Sequence, residues 1–264
     1  VPFDFISACF REGIKEHIDV LSFHPYRERP EEKYDDEINR LRKLLEMQSA
    51  ACTLWQGENG CPSVGGTGSA GALSELPWDE TLQAKWLLRR IMTDLKNELE
   101  LTSYFHIVDL VGYQGETNYK GLLRGNDYTP KPAYYAYQRL CALFYAETKV
   151  TAKQDNVLEY VLPDDSPTLN ASEIQQVSFS RKGGLIHACW CASRLFEPWT
   201  DVKATIKLQL NENTALTEPV LLDPLSGNVY AVPDAVISDN VLSVNSMPLS
   251  NYPLFIADRT LVLA

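Results

Sequence analysis

Apolar residues recur at spacings of three and four through the first part of the chain and at alternate positions through the last part, so two architectures are joined in one polypeptide. Phe5 to His17 reads as a helix, and Asp19 to Phe23 as a short buried strand ending at His24-Pro25-Tyr26. A polar helix is predicted from about Glu31 to Gln48, with Ile38, Leu41 and Leu45 on one face. Ala51 to Trp55 is the next strand, followed by a glycine-rich loop (Gly65, Gly66, Gly68, Gly71). Pro77, Asp79 and Glu80 then mark a helix start, continued by Ala84, Leu88, Ile91, Leu95 and Leu99. Tyr104 to Val111 is predicted as a third strand, and Lys131-Pro132 opens a last helix to about Phe144. The aromatic stripe of that helix (Tyr134, Tyr135, Tyr137, Phe144) reads as packing.

This alternation of helix and short apolar strand is the pattern of β/α units with a parallel sheet. From Asn156 onward it gives way to short alternating segments separated by turn signals such as Asp223-Pro224-Leu225-Ser226-Gly227 and Ser238-Asp239-Asn240. Predicted strands there are Gln176 to Ser180, Leu185 to Ala192, Ala204 to Leu210, Val220 to Leu222, Asn228 to Val232, Val241 to Val244 and Leu254 to Ala257. Their lengths suit an antiparallel β-sandwich. The expected division is residues 1–150 and 151–264, with the boundary between Glu147 and Asn156.

Composition narrows the functions. A net charge of -11 argues against nucleic acid, whose phosphates need clustered Lys and Arg. No apolar run approaches the roughly 20 residues needed to cross a bilayer, so no membrane partner is expected. The start, Val1-Pro2-Phe3-Asp4, has neither an initiating Met nor a leader, which reads as a processed or truncated piece and leaves the parent's compartment open, periplasmic or secreted among the alternatives. The six cysteines form no CxxC pair, so they read as free thiols and no metal is expected.

Each strand of the first region ends in a polar or aromatic cluster: Ser22-Phe23-His24-Pro25-Tyr26-Arg27, Trp55-Gln56-Gly57-Glu58-Asn59-Gly60-Cys61-Pro62-Ser63, and Ser103-Tyr104-Phe105-His106. Carboxyl ends of parallel strands are where a β/α barrel gathers its catalytic groups. Glu58 directly follows an apolar strand, where desolvation requires compensating neighbours. The bland reading pairs Glu58 with Arg27 or makes it a loop cap. Flanking glycines, and Trp55, Trp78 and Tyr26 as surfaces for sugar rings, favour a catalytic reading.

The strings DVLSFHPYR, LWQGENGCPS and KPAYYAYQRL, in that order and spacing, resemble the later strands and last helix of clan A glycoside hydrolases, family 39 and related groups most of all. The segments LLDPLSGNVY and PLSNYPLFIAD resemble the β-sandwich appended to such barrels. The resemblance implies the later part of a (β/α)8 TIM barrel followed by a β-sandwich. It makes Glu58, at the end of the seventh strand, the nucleophile of a retaining O-glycosyl hydrolase. His24 and Tyr26 match a His-x-Tyr pair at the end of the sixth strand that contacts substrate or holds the nucleophile. Tyr104 stands where the eighth strand often carries Trp, and Trp55, Gln56, Asn59 and Trp78 complete the substrate-binding set. Such chemistry uses two carboxyls and no cofactor.

The second carboxyl follows an Asn at the end of the fourth strand in that clan. Asn97-Glu98 sits at a predicted helix end and Asn211-Glu212 in a sandwich loop, so neither suits the acid. Strands one to five are then missing, and three strands alone leave edges and apolar surface bare. The chain is expected to need a missing barrel half, from a separate chain, a cleaved precursor or self-association. The alternative is a non-catalytic carbohydrate-binding or scaffold protein that keeps the cleft without the acid. A weaker one makes the sandwich the sugar binder, with Trp190 and Trp199 as platforms, although mid-strand Trp190 suits a core. His17 is expected against helix-end carbonyls and His187 in a sandwich strand; His106 is open. Asp109 and Arg124 line the cleft or form a surface ion pair, and Glu116 is a solvated loop residue.

Overall fold

A computed structural model describes residues 1–152, 157–161, 171–200, 202–210 and 216–262. Helix α1 (Phe3–Arg11) ends where Gly13 takes a positive φ, and a 3-10 turn (Ile14–Glu16) replaces the rest of the expected Phe5 to His17 helix. Strand β1 (Val20–Phe23) follows, then α2 (Tyr34–Met47), β2 (Thr53–Gln56), α3 (Glu80–Lys96) and β3 (Leu101–Thr102). Asp79 caps α3, its carboxylate accepting from the Leu82 amide at 2.7 Å. These strands form a parallel sheet in the order β1-β2-β3, with Ser22 opposite Trp55 and Trp55 opposite Leu101.

The third strand lies earlier than the pattern predicted. It is the pair Leu101–Thr102, and Tyr104 onward is loop. Leu110 and Val111 belong instead to a hairpin, β4 (Leu110–Tyr113) and β5 (Glu116–Asn118), turned by Gly112, Gln114 and Gly115 at positive φ. Helix α4 (Pro132–Leu143) closes the helical region. Of its aromatic stripe, Tyr137 and Phe144 pack against the core, while Tyr134 and Tyr135 are exposed and meet each other edge to face.

Beyond α4 the described elements are mostly strands: β6 (Lys149–Ala152), β7 (Val157–Val161), β8 (Ile174–Arg181), β9 (Gly184–Cys191), β10 (Val202–Gln209), β11 (Pro219–Leu222), β12 (Val229–Ala231), β13 (Val236–Ser238), β14 (Val241–Leu249) and β15 (Leu254–Asp258), with a last short helix α5 (Arg259–Val262). They make a six-stranded sheet, β12-β11-β15-β9-β8-β6, and a four-stranded sheet, β13-β14-β10-β7, all antiparallel. Part of the boundary segment and the Asn211-Glu212 pair fall outside the described residues.

The six-stranded sheet is a middle layer. Leu185, Cys189, Leu254 and Ile256 face the second sheet, against Ile206, Leu208, Leu242, Val244 and Met247. On its other face Ile186, Ala188, Trp190, Phe179 and Phe255 meet Ala84, Leu87, Leu88 and Ile91 of α3 and Ala133, Ala136 and Leu140 of α4. Being covered on both sides, β9 is buried along its whole length, whereas β10, in an outer layer, alternates. Trp190 is therefore core, as is the His187 side chain, which meets Ser178 Oγ at 2.8 Å through Nδ1.

Helix α3 is wedged between the parallel sheet and this middle layer, so even its polar side chains are buried and must be paired. Arg89 donates to both oxygens of Glu31 at 2.8 and 2.6 Å and to the Ser193 carbonyl; Trp190 donates to the same Glu31 at 2.7 Å. Asp94 takes Arg90 at 2.5 Å, Tyr34 at 2.6 Å and Thr102 at 2.7 Å. Arg29 to Glu173, Lys96 to Gln175, and Arg139 to the carbonyls of Pro224 and Leu225 add further ties between the helical and antiparallel regions.

The face of the parallel sheet opposite its helices carries Val20, Ser22, Thr53, Trp55 and Leu101. Ser22 and Thr53 are exposed and Trp55 is half-buried. Among the described residues nothing pairs with the outer edges of β1 and β3.

Candidate active site

Because the three strands run parallel, the residues after Phe23, Gln56 and Thr102 rise on one rim of the sheet. That rim is where the polar clusters of the sequence meet. Glu58, two residues past β2, is half-buried, and the Tyr26 hydroxyl donates to its Oε1 at 2.8 Å. His24 is more exposed, with Nδ1 3.8 Å from Glu58 Oε2. Burial, then the hydrogen bond and charge of Glu58, push the Tyr26 phenol well above its ordinary range, so it remains a donor at any working pH. Arg27 does not pair with Glu58; it bonds Glu37 at 2.5 Å.

Glycines let the rim close up. A Cβ on Gly57 would lie 2.0 Å from Ser22 Oγ, and one on Gly60 would lie 2.2 Å from the Phe105 carbonyl oxygen. The loops are stitched by Ser103 Oγ donating to the Gly57 carbonyl at 2.6 Å and the Phe105 amide to the Asn59 carbonyl at 2.7 Å.

Other residues expected to bind substrate are placed differently. Trp78 is only 5% exposed; it packs edge to face on Phe196 at 4.7 Å and donates Nε1 to the Leu73 carbonyl, so neither ring face is open to a sugar. Tyr104 turns inward, its hydroxyl donating to the Cys61 carbonyl at 3.2 Å. Gln56 alternates away from Trp55 toward the helices and is fully buried; its Oε1 accepts from Thr102 Oγ1 and the Ser103 amide. Asn59 is fully buried, its Oδ1 accepting from the Gly60 amide. Trp55 lies on the open face, its Nε1 bonded to Glu100 at 3.0 Å.

The remaining ionisable residues separate as follows. Asp109 forms a buried pair with Lys131 at 2.7 Å, while Arg124 bonds Glu80, so Asp109 and Arg124 do not pair with each other. His17 is exposed after the 3-10 turn, and Glu116 is exposed on β5. Glu98 precedes β3 and so lies at the opposite end of the sheet from Glu58, while Asn97 is held by Asp35 and the Thr93 carbonyl. Two rim residues went unassigned from sequence. His106 is half-buried with Nε2 unpartnered; burial, then Lys120 and Lys131, lower it to about 4. Lys120 is 1% exposed. The Ser103-to-His106 cluster pointed to the first, but nothing in the pattern around Lys120 announced a buried amine.

Among the described residues, no group of three or more His, Cys, Asp or Glu side chains is placed to hold a metal, and no helix is long and apolar enough to cross a membrane. A cavity of about 490 Å³ lined by Leu95, Leu99, Phe144, Val150 and Phe179 lies beside the amino end of β3, away from Glu58.

No family model matches the sequence, and no curated protein matches it. Among solved structures, the chain is similar to a GH30 endoxylanase from Clostridium papyrosolvens C71, at 12% identity over 92% of this chain and 50% of that one, with a TM-score of 0.51. It is similar to CelM2, a bifunctional glucanase-xylanase from a metagenome library, at 11% identity over 96% and 46%, TM-score 0.53. It is also similar to a conserved exported protein from Bacteroides fragilis, at 13% identity over 90% and 46%, TM-score 0.50. The chain thus spans about half the length of these three structures. The numbered family among them is 30, so the narrower likeness to family 39 is not supported. At such identities the likeness is one of fold: the chain has, at a coarse level, the fold of solved glycoside hydrolases.

Proposed function

We propose that the chain is the later part of a (β/α)8 glycoside hydrolase barrel with an appended β-sandwich, divided near residue 150, and that it hydrolyses O-glycosidic bonds with retention through Glu58. The observation that carries this reading is the Tyr26-held Glu58 carboxylate at the carboxyl rim of a parallel sheet whose inner face is open. In the first step a Glu58 oxygen bonds to the anomeric carbon as the glycosidic C–O bond breaks, and the leaving oxygen takes a proton from a second carboxyl about 5 Å away. In the second, water deprotonated by that carboxylate displaces Glu58. The Tyr26 hydroxyl aims the attacking carboxylate, His24 borders it, and Trp55 offers a ring on the open face.

The second carboxyl belongs to polypeptide that covers the bare face and edges of β1, β2 and β3. Parallel sheets bury both faces, and the solved relatives are about twice as long as this chain. The test is to incubate the completed protein with a 2-fluoro glycoside inactivator and map the adduct. We expect it on Glu58, and Glu58→Ala to lower kcat by roughly 10⁴-fold. An adduct on any other residue overturns the assignment.

The second reading, a non-catalytic carbohydrate-binding protein, is favoured by one observation: Glu98, the described Asn-Glu carboxylate, lies at the wrong end of the sheet. A completing segment without a strand-end Asn-Glu supports it.

A further inference from the structure

The Lys120 side chain is buried beneath two glycine turns at the site. Its Cδ is 3.5 Å from where a Gly60 Cβ would stand, and its Nζ is 2.7 Å from the corresponding point at Gly71. Nζ lies 5.9 Å from the centroid of the Tyr26 ring, whose hydroxyl is on Glu58. Its hydrogen bond is long, 3.5 Å to Asn118 Oδ1, on a side chain 1% exposed. Lys131, by contrast, is equally buried but reaches Ser63 and Asp109 at 2.7 Å each. A buried ammonium without close acceptors is costly unless other charge is arranged around it.

We infer that Lys120 is a positioning residue of this site, the fixed positive charge against which Glu58 and His106 are arranged. The inference deepens the proposed function and rests on its placing of the site at Glu58. The charged and titratable groups around the pair come from every loop of the rim: His24 and Tyr26 after β1, Glu58 and Cys61 after β2, Glu75 in the glycine-rich loop, and His106, Lys120 and Lys131 after β3. His106, whose amide meets the Lys120 carbonyl at 3.4 Å, is held in the uncharged form by burial and then by the charges of Lys120 and Lys131. Uncharged, His106 offers a hydrogen bond to a sugar hydroxyl without competing as a counter-ion for Glu58.

The experiment compares wild type, Lys120→Met and Lys120→Arg by following the His106 imidazole C–H signals against pH, assigned with His106→Gln. In wild type we expect a midpoint near 4. Lys120→Met should raise it by about one unit, and Lys120→Arg should restore it. An unchanged midpoint in a folded Lys120→Met chain overturns the inference. Should Lys120→Met fail to fold, the wild-type Lys120 amine decides. Burial lowers its proton affinity, so it should titrate below the surface lysines, and titration together with them also overturns the inference. Neither signal requires turnover. An inactivator adduct away from Glu58 with a responsive His106 sinks the hydrolase assignment and leaves the charge relationship standing.

Discussion

The parallel sheet and the antiparallel layers use similar apolar side chains, yet one is left open and the other is sealed. In the antiparallel region the middle sheet is covered on both faces at its centre, where β9 is buried from end to end. In the parallel region one face is packed by Ile38, Leu41 and Phe10, while Ser22, Thr53 and Trp55 look outward. The difference teaches where stability and chemistry are kept. The antiparallel layers, with α3 and α4, form a finished core, and the rim that carries Glu58 is attached to it through α3.

The most forceful way to break this division of labour is at its joint. Glu31→Ala removes both carboxylate acceptors of Arg89 and the acceptor of Trp190, leaving the buried guanidinium only the Ser193 carbonyl. Unfolding free energy in urea should fall by about 3–5 kcal/mol. If the joint is where the regions are held together, the transition seen by Trp55 fluorescence should then precede that of the antiparallel layers.

A smaller effect isolates the sealed region. His187, buried and lowered to about 3, titrates near 6.5 when unfolded. Between these values the unfolded chain binds a proton that the folded chain refuses, so stability falls as pH drops below 6.5. At pH 5 the loss is about 2 kcal/mol. His187→Gln, which can still meet Ser178, should remove that slope in urea titrations at pH 7 and 5. His106 contributes in the same direction and is the residual slope.

The smallest change in stability, and the most selective, is Tyr26→Phe. It deletes the 2.8 Å bond to Glu58 while keeping the ring. If Glu58 acts as proposed, kcat/KM of the completed protein should drop by about tenfold, since a hydrogen bond to a charged group is worth roughly 1.5 kcal/mol or more. The thermal midpoint should barely move. A large loss of stability instead would mean that the rim, too, is part of the structural core.

The alternation of helix and strand was legible because β/α units bury one helical stripe at a time, and Ile38, Leu41 and Leu45 fall where the periodicity put them. The strand near residue 101 was not, because its two residues are too short to show a period, and Leu110 and Val111 mimicked a strand that is really a hairpin arm. The meeting of Tyr26 with Glu58 was legible, since both follow strand ends of one parallel sheet. Trp78 misled: an aromatic beside a glycine loop reads the same whether its ring lies under the loop or above it. Lys120 was invisible because two glycines sixty and forty-nine positions upstream are what bury it, and no local pattern records that distance.

Gly60 shows how thin that cover is. Where another residue would carry a carbon, this one has a hydrogen, and the Phe105 carbonyl occupies the space. Alanine at this position has no flexible side chain to push aside, only main chain, so it would wedge the two loops apart along the seam they share. Water would then reach the amine beneath, and its charge would be spent on solvent rather than on its neighbours. A single hydrogen atom thus acts as the gasket of the rim.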